Sequence, residues 1–177
     1  KPVPVLNPPD DWLRQHAASL AVGDALDLAC GLGHNAIWLA QQGWHVDAVD
    51  ISQAGLDLAK QLTEQVQCRS ISWIAADLDS YELTPASCDL VVVFRFLDRT
   101  RLPAFIEAAL RPGGTLIYET FTRGQLARPE NHLKNSQFAL QPNELPGLFP
   151  RLKVLAYEEV ELPDRSVARL VARKPAM

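Results

Sequence analysis

The stretch Asp27-Leu28-Ala29-Cys30-Gly31-Leu32-Gly33-His34-Asn35 decides the fold of this chain. A strand-like run over residues 25–29 leads into its two glycines, and a helical pattern over residues 36–42 follows them. A second strand-like run, residues 44–49, ends in Asp50. A tight glycine turn between strand and helix, with an acid after the next strand, indicates an open α/β sheet that binds a nucleotide or nucleoside.

The bulk composition limits the classes of protein that need to be considered. A chain of 177 residues with 47% hydrophobic and 21% charged residues is expected to form one globular domain. Its net charge is −4, so no global basic field favours a nucleic-acid partner.

Cysteine usage and the length of the apolar runs bear on where in the cell the protein is expected. Cys30, Cys68 and Cys88 show no C-x-x-C spacing, which argues against a disulfide framework and against a bound metal. No apolar run approaches the ~20 residues that span a bilayer, and no charged-then-apolar leader opens the sequence. We therefore expect a cytoplasmic protein without a membrane partner.

The remaining patterns predict the rest of one domain, residues 1–177. Residues 1–21 read as a proline-rich extension and a helix, capped by Asp10 or Asp11, that lies over the site. Further helices are expected from residue 53, over 102–110 and over 142–148. Strand patterns continue at residues 70–75, 90–94, 115–120, 153–161 and 166–173.

The order of these elements predicts the architecture. Five strands alternate with helices, whereas the last two are joined by only a short turn and must form an antiparallel hairpin. The expected fold is α/β: a mostly parallel seven-stranded sheet with a C-terminal antiparallel hairpin and helices on both faces. Residues 111–114, Arg-Pro-Gly-Gly, are expected to form a turn before strand five. The polar stretch 122–143 is long enough to be a functional or mobile loop.

Two interpretations compete for the glycine turn. One is the dinucleotide pattern G-x-G-x-x-G, here with Ala36 in the last position. The other is D-x-x-x-G-x-G, which Asp27, Gly31 and Gly33 fit without departure. An acid four residues before the first glycine suits the amino group of a methionine moiety, whereas a pyrophosphate would need only hydrogen-bond donors at the start of the helix. The terminal hairpin also favours the second interpretation.

The chain resembles a small bacterial class I S-adenosylmethionine-dependent methyltransferase, and is similar to the tellurite-resistance type. The resemblance covers nearly the whole chain and rests on residues 25–35, 49–52 and 118–122. It implies the Rossmann-like fold of that class, S-adenosylmethionine as cofactor with S-adenosylhomocysteine as product, and methyl transfer to a small-molecule acceptor.

Site residues follow from their places in this fold. Asp50 ends strand two, where its carboxylate can accept hydrogen bonds from ribose hydroxyls. Asp27 is expected to face the methionine amine, and Asp77 with Leu78 to frame adenine. The full expected cofactor-binding set is Asp27, Ala29, Gly31, Gly33, Asn35, Asp50, Ile51, Asp77, Leu78 and Phe94.

The catalytic residues are less well defined by the sequence. The expected reaction is in-line displacement, with the nucleophile positioned at ~3–3.5 Å from the methyl group. Arg95, Glu119 and His132 are the candidates, and no residue stands out as a general base. A soft nucleophile such as a thiol needs little help in deprotonation.

A cluster of basic residues bears on the charge of the acceptor. Around the end of strand four and in the long loop they could form a basic mouth for an anionic acceptor, or they could be scattered solvated charges. These residues are Arg95, Arg99, Arg101, Arg123, Arg128, His132 and Lys134. Two other functions remain open from the sequence: a non-catalytic S-adenosylmethionine-binding module and an NAD-dependent dehydrogenase.

Overall fold

The computed structural model describes residues 4–176, which form one seven-stranded sheet flanked by helices. The helices are α1 (Asp11–Ala17), α2 (His34–Gln41), α3 (Gln53–Gln65), α4 (Leu102–Ala109) and α5 (Glu144–Gly147). The strands are β1 (Asp24–Leu28), β2 (His45–Asp50), β3 (Ile71–Ala75), β4 (Cys88–Phe94), β5 (Leu110–Phe121), β6 (Lys153–Glu161) and β7 (Ser166–Arg173). No helix in this part of the chain has the length and apolar content to cross a bilayer.

The strand order is β3-β2-β1-β4-β5-β7-β6. The first five strands in this order are parallel, and β7 lies antiparallel between β5 and β6. The predicted architecture, including the C-terminal hairpin, is confirmed. The chain runs outward from β1 to β3 and then returns to place β4 on the other side of β1. Ligands of open α/β sheets bind beside such a reversal, at the carboxyl ends of the strands.

The two faces of the sheet carry separate apolar cores. Along β4, Val91 and Val93 pack into one core and Leu90 and Val92 into the other, as the two-residue repeat of a strand requires. The first core includes residues of α4 and α5, and the second includes residues of α1, α2 and α3. Helices therefore cover both faces, and the carboxyl ends of β1, β2 and β4 are held rigidly at one edge.

Strand β5 is longer than the sequence predicted. Residues 111–114 were expected to form a separate turn, yet β5 already begins at Leu110, directly after α4. Gly113 donates its N–H to the carbonyl of Lys174 at 2.8 Å, and Lys174 donates to the carbonyl of Gly114 at 2.8 Å. The chain that follows β7 supplies these partners, so the backbone of the Pro-Gly-Gly stretch is paired along the sheet.

The β5–β6 loop (residues 122–143) is built from short turns pinned to the hairpin. It contains two 3₁₀ turns, Arg123–Ala127 and Ser136–Phe138. Between them, Arg128 donates to the Ser166 hydroxyl at 2.9 Å, to a Glu161 carboxylate oxygen at 3.0 Å and to the Leu162 carbonyl at 2.6 Å. One guanidinium thus fastens the middle of this long loop to the β6–β7 turn.

Candidate functional site

Close packing against Trp73 shapes the glycine turn after β1. Gly33 has a φ of 79°, in the left-handed region that glycine adopts at little cost. A Cβ at this position would lie 2.3 Å from the indole ring of Trp73, far inside van der Waals contact. The turn therefore requires glycine here, and Trp73 supports it as a packing residue. Helix α2 starts directly afterwards, with the Ile37 N–H donating to the Gly33 carbonyl at 2.9 Å.

Asp50 links the glycine turn to the start of α3. Its Oδ2 accepts from the backbone N–H of Gly31 at 2.9 Å, and its Oδ1 accepts from the N–H of Ser52 at 2.9 Å. Ser52 caps α3, its hydroxyl accepting from the Gly55 N–H at 3.1 Å. Each carboxylate oxygen keeps a further lone pair. The side chain is thus fixed at the carboxyl end of β2 with acceptor capacity left for a ligand.

Asp50 lines a cavity of about 560 Å³, named here the Asp50 cavity. Five of the expected cofactor-binding residues meet in it: Ala29, Asp50, Ile51, Asp77 and Leu78. The other lining residues come from the loop after β3, from the β4–α4 loop and from the β5–β6 loop: Ala76, Asp79, Phe96, Leu97, Asp98, Arg99, Thr100, Gln137 and Phe138. This volume and mixed lining suit a small organic ligand with an apolar ring and a few polar groups.

The wall formed by Asp77 and Leu78 is held by its own turn and by Arg101. Asp77 Oδ1 accepts from the Asp79 N–H at 2.9 Å, and the Asp77 carbonyl accepts from the Tyr81 N–H at 2.9 Å. The Arg101 guanidinium donates to the carbonyls of Leu78 and Tyr81, the latter at 2.6 Å. The β4–α4 loop therefore positions a wall that follows β3.

Asp27 is a buried carboxyl beneath the glycine turn. Its side chain is 2% exposed, and its Oδ2 has no hydrogen-bond partner among the described residues. Burial, with the nearby negative charge of Asp10, raises the pKa of Asp27 to about 8. A buried polar atom without a partner is rare in native proteins. This carboxyl is therefore suited to receive a cationic or hydrogen-bond-donating group.

A second cavity, of about 640 Å³, lies on the other side of Ala29 and is named here the Asp10 cavity. Its lining combines the N-terminal segment with the glycine turn, the end of β4 and the β6–β7 turn. The lining residues are Asn7, Pro8, Pro9, Asp10, Asp11, Ala29, Cys30, Gly31, Leu32, His34, Phe94, Arg95 and Arg165. The proline-rich extension thus forms one wall of this cavity.

Asp10 fastens this wall to the sheet. Its carboxylate receives both terminal nitrogens of Arg95, at 2.8 and 3.0 Å, and the amide nitrogen of Asn35 at 2.8 Å. His34 Nε2 lies 3.0 Å from Asp10 Oδ2, and the Asp10 N–H donates to Asn35 Oδ1 at 2.9 Å. Burial alone would raise the pKa of Asp10, but the bonds from His34, Arg95 and Asn35 outweigh burial and lower it. Asp10 precedes α1, yet its carboxylate makes no cap hydrogen bond to that helix.

Two residues that line the Asp10 cavity have unusual backbone conformations. Ala29 ends the β1 segment with a φ of 56°, and Arg95 follows β4 with a φ of 58°. Left-handed conformations of non-glycine residues cost free energy and gather at functional sites. Both residues line the Asp10 cavity, and Ala29 lines the Asp50 cavity as well; Gln67, Ala86 and Asn143 also have positive φ values and line neither cavity.

The three catalytic candidates lie in different surroundings. Arg95 lines the Asp10 cavity, paired with Asp10. Glu119 is 0% exposed and forms ion pairs with Arg169 at 2.6 Å and with Arg165 at 3.4 Å. His132 is exposed on the β5–β6 loop and is not among the lining residues of either cavity.

The remaining residues of the expected cofactor-binding set also lie in different surroundings. Gly31 and Phe94 line the Asp10 cavity. Asp27 and Gly33 line neither cavity: Asp27 is buried, and Gly33 packs against Trp73. The Asn35 side chain is bound by Asp10. Sequence reasoning missed Asp10 itself, although Asn7-Pro8-Pro9-Asp10 stands out as a motif. It also missed Gln137 and Phe138, for which the polar loop sequence offers no local signal.

Several of the basic residues that could form a basic mouth or be scattered solvated charges are bound by partners within the chain. Arg99 binds Glu144 and the carbonyls of Gln137 and Ala139. Arg101 and Arg128 bind backbone carbonyls in the same way, and Arg95 binds Asp10. Each of these four guanidiniums thus has an acceptor within the chain.

The strand order, the glycine turn and the acid after β2 together define a Rossmann-like class I methyltransferase fold. Residues 25–114 match the family model described as "Methyltransferase domain". This match covers half of the chain, so the protein belongs to that family. S-adenosylmethionine is the cofactor of the class I enzymes in this family.

Of two curated relatives that match this chain, one is named as a methyltransferase. The chain is 33% identical over 162 residues to a protein named "Hemagglutinin 1" from Eikenella corrodens, covering 83% of this chain and 49% of that one. It is 28% identical over 118 residues to the "Ubiquinone biosynthesis O-methyltransferase" of Acinetobacter baylyi, covering 64% of this chain and 50% of the relative. The chain therefore spans about half the length of the curated relatives it matches.

Solved structures share the fold. TehB from Haemophilus influenzae superposes with a TM-score of 0.75 at 23% identity, covering 92% of this chain and 61% of that one. The N-methyltransferase NodS from Bradyrhizobium japonicum superposes with a TM-score of 0.74 at 22% identity, covering 93% and 92%. At these identities the likeness concerns the fold alone.

The residues present fit S-adenosylmethionine. Asp50 offers free lone pairs for vicinal hydroxyls at the end of β2, and Leu78 offers apolar surface in the same cavity. The unpartnered Oδ2 of Asp27 lies under the glycine turn, where the ammonium group of the methionine moiety would find a counter-charge.

Proposed function

We propose that this domain transfers the methyl group of S-adenosylmethionine to a small-molecule acceptor. The observation that carries the proposal is the meeting of two cavities at Ala29, one beside the fixed carboxylate of Asp50 and one beneath the N-terminal segment. Family membership supports the choice of cofactor. Methyl transfer needs two adjoining sites, one for the donor and one for the acceptor, and this arrangement provides them.

The residues of the Asp50 cavity bind the nucleoside. Asp50 accepts hydrogen bonds from the ribose hydroxyls, which contribute roughly 1.5–3 kcal/mol for a charged acceptor. Asp77 and Leu78 hold the adenine ring between a polar edge and an apolar face. Asp27 receives the ammonium group of the methionine moiety, directly or through water.

When bound, S-adenosylmethionine supplies an electrophilic methyl group on a sulfonium centre. The chain contributes positioning: the glycine turn brings backbone close to the ligand, and the Asp10 cavity holds the acceptor facing Ala29. Pro8 and Pro9 cover the acceptor and reduce its access to water, which favours a reaction in which charge is dispersed. The pairing of Arg95 with Asp10 removes its free charge from this cavity, so a neutral or soft acceptor fits as well as an anion.

Ligand titration tests the proposal. S-adenosylmethionine and S-adenosylhomocysteine should each raise the melting temperature of the purified chain, because a ligand that binds only the folded state stabilises it. NAD should leave the melting temperature unchanged. Stabilisation by NAD without stabilisation by S-adenosylmethionine would overturn the proposal.

Two variants locate the binding site within the chain. Asp50→Ala should abolish the shift caused by S-adenosylhomocysteine, because the variant loses the ribose acceptor. Asp57→Ala removes an exposed carboxylate from α3 outside the cavity and should keep the full shift. An equal shift in both variants would remove Asp50 from the site. Incubation with candidate acceptors, with detection of a methyl-group mass increase, then tests turnover.

A further inference from the structure

Residues 135–139, named here the cap segment, form a defined turn at the rim of the Asp50 cavity. The Asn135 side-chain oxygen accepts from the Gln137 N–H at 2.9 Å, and the Asn135 carbonyl accepts from the Phe138 N–H at 3.0 Å. The Ala139 N–H donates to the Ser136 carbonyl at 3.1 Å. Three bonds within five residues give this segment one backbone shape.

Arg99 fastens the cap segment on both sides of Phe138. Its guanidinium donates to the carbonyl of Gln137 and, at 3.0 Å, to the carbonyl of Ala139. Two further bonds join the same guanidinium to the carboxylate of Glu144, which in turn accepts from the Gln141 N–H at 2.9 Å. A planar guanidinium with several fixed acceptors is a rigid support.

The chain after Phe138 is anchored in the core. Ala139 and Leu140 are 2% and 1% exposed, and the Leu140 N–H donates to the Phe121 carbonyl at the end of β5 at 2.8 Å. Phe138 itself is 50% exposed, although its neighbour is buried. Its backbone is therefore held in place while its ring remains at the cavity rim, together with Gln137.

The β4–α4 loop, which contains Arg99, also supports the wall of the Asp50 cavity that contains Leu78. Arg101, two residues after Arg99, holds the carbonyls of Leu78 and Tyr81. The β4–α4 loop thus supplies part of the cavity lining through Phe96 and Leu97. Its Arg99 binds the cap segment on one side of the cavity, and Arg101 binds the Leu78 wall on the other. The backbone that carries the Phe138 ring is held in this way beside a cavity that also contains Leu78, which places the ring to contact a flat aromatic ligand group.

We infer that Phe138 forms the outer wall of the adenine site, with Arg99 as the positioning residue that holds it there. The inference rests on the proposed function, because it takes the nucleoside of S-adenosylmethionine as the ligand of the Asp50 cavity. It assigns to the β5–β6 loop a role in cofactor binding. Aromatic side chains that stack on a base contribute ~1–3 kcal/mol, which is about 5- to 150-fold in affinity.

Calorimetric titration of Phe138→Ala tests the inference directly. The dissociation constant for S-adenosylhomocysteine should rise about tenfold, within the range for loss of one base-stacking ring. The dissociation constant for adenosine should rise by a similar factor, because both ligands carry the same ring. Phe138→Tyr keeps the ring and should stay within about twofold of the original chain. Leu155→Ala, which shortens an exposed apolar side chain on β6, serves as the matched control.

The outcomes separate this inference from the proposed function. If the original chain does not bind S-adenosylhomocysteine, the proposed function fails. If it binds and Phe138→Ala binds equally well, only the cap assignment is overturned. A loss for S-adenosylhomocysteine without any loss for adenosine would also overturn it, because the ring would then contact another part of the ligand.

Arg99→Gln tests the positioning role. If Arg99 acts through Phe138, the loss of affinity in Arg99→Gln should largely disappear when Phe138 is already alanine, since the two changes remove one interaction. Fully additive losses would overturn the link between the two residues. Melting curves and circular dichroism of each variant show whether the fold is intact. Arg99→Lys keeps the positive charge but loses the planar guanidinium, so its affinity should lie between that of the original chain and that of Arg99→Gln.

Discussion

The carboxylate of Asp10 and the guanidinium of Arg95 meet in a two-pronged ion pair, with N–O distances of 2.8 and 3.0 Å across 85 residues of sequence. The Asp10 side chain is 10% exposed and that of Arg95 is 33% exposed. The pair fastens the N-terminal segment to the end of β4. Arg95 has a left-handed backbone, which costs free energy in a non-glycine residue, and its two bonds to Asp10 offset part of that cost.

Asp10→Ala should lower the free energy of unfolding by about 2–3 kcal/mol, because Arg95 then loses a mostly buried partner. Urea denaturation measures the change. Asp11→Ala is the control: its carboxylate is 77% exposed and, among the described residues, pairs only with Arg14, so the expected change is below about 1 kcal/mol. The double change Asp10→Ala with Arg95→Ala should cost less than the sum of the single changes. Strict additivity would mean that the pair contributes no coupling.

Asp27 should make stability fall as the pH rises. Its pKa in the folded chain, about 8, lies above the ordinary value near 4, so the folded state holds a proton that the unfolded state has released. The stabilisation is complete below about pH 4 and is lost as the pH rises towards 8, with a slope of at most about 1.4 kcal/mol per pH unit. Asp27→Asn cannot titrate, so its stability relative to the original chain should improve between pH 5 and pH 8. A constant difference would contradict the raised pKa.

Binding of S-adenosylhomocysteine should release a proton from Asp27. At pH 7 the carboxyl is mostly protonated, and an ammonium group beside it favours the ionised form. Calorimetry in buffers of different ionisation enthalpy should therefore report nearly one proton released at pH 7 and much less near pH 9. Asp27→Asn should show no such release. Equal values for both chains would place the amine elsewhere.

The two glycines of the turn should respond differently to alanine. Gly33→Ala forces a Cβ to within 2.3 Å of the Trp73 ring at a positive φ, and should lower the free energy of unfolding by about 2–4 kcal/mol. Gly31→Ala meets no atom within 4 Å among the described residues and should cost only about 1–2 kcal/mol for its φ of 57°. The Gly31 N–H fixes the Asp50 carboxylate, so the alanine variant should fold yet bind S-adenosylhomocysteine more weakly. Equal melting temperatures for the two variants would contradict the packing by Trp73.

Arg101→Met should weaken S-adenosylhomocysteine binding about three- to tenfold, because the carbonyls of Leu78 and Tyr81 lose their shared donor and the adenine wall loosens. Methionine retains apolar contact with Phe105, over whose ring the guanidinium lies at 5.3 Å. Arg69→Met removes an exposed arginine before β3 and should bind normally. Unchanged affinity in Arg101→Met would show that the wall holds its shape without this support.

Much of the fold was predictable from the sequence because its signals are local. The continuous apolar run of β4, the helical spacing around Ile106 and the short turn before β7 each depend on neighbouring residues. The same holds for Asp50 and Ser52, which follow β2 directly and reach only adjacent backbone. Strand β5 was predicted too short because its first residues pair with the chain after β7, which no local pattern announces.

The partners of long polar side chains were not predictable in this way. Arg95, Arg99 and Arg101 read as a possible basic surface, since their charge is visible in the sequence and their acceptors are not. Those acceptors lie 20 to 85 residues away, and several are backbone carbonyls that any residue type provides. For the same reason Phe138 gave no signal: its place at the rim of the Asp50 cavity depends on Arg99, which binds the carbonyls on either side of it.

The position of Ala29 has a consequence for the evolution of specificity. Ala29 lines both cavities, whereas residues 7–11 line the Asp10 cavity and not the Asp50 cavity. Residues 7–10 precede the first helix and contribute no strand to the sheet. Under the proposed function, exchange of Asn7, Pro8 and Pro9 would change the acceptor side while Asp10 keeps its ion pair with Arg95. Acceptor specificity could then change without any change in the residues of the Asp50 cavity.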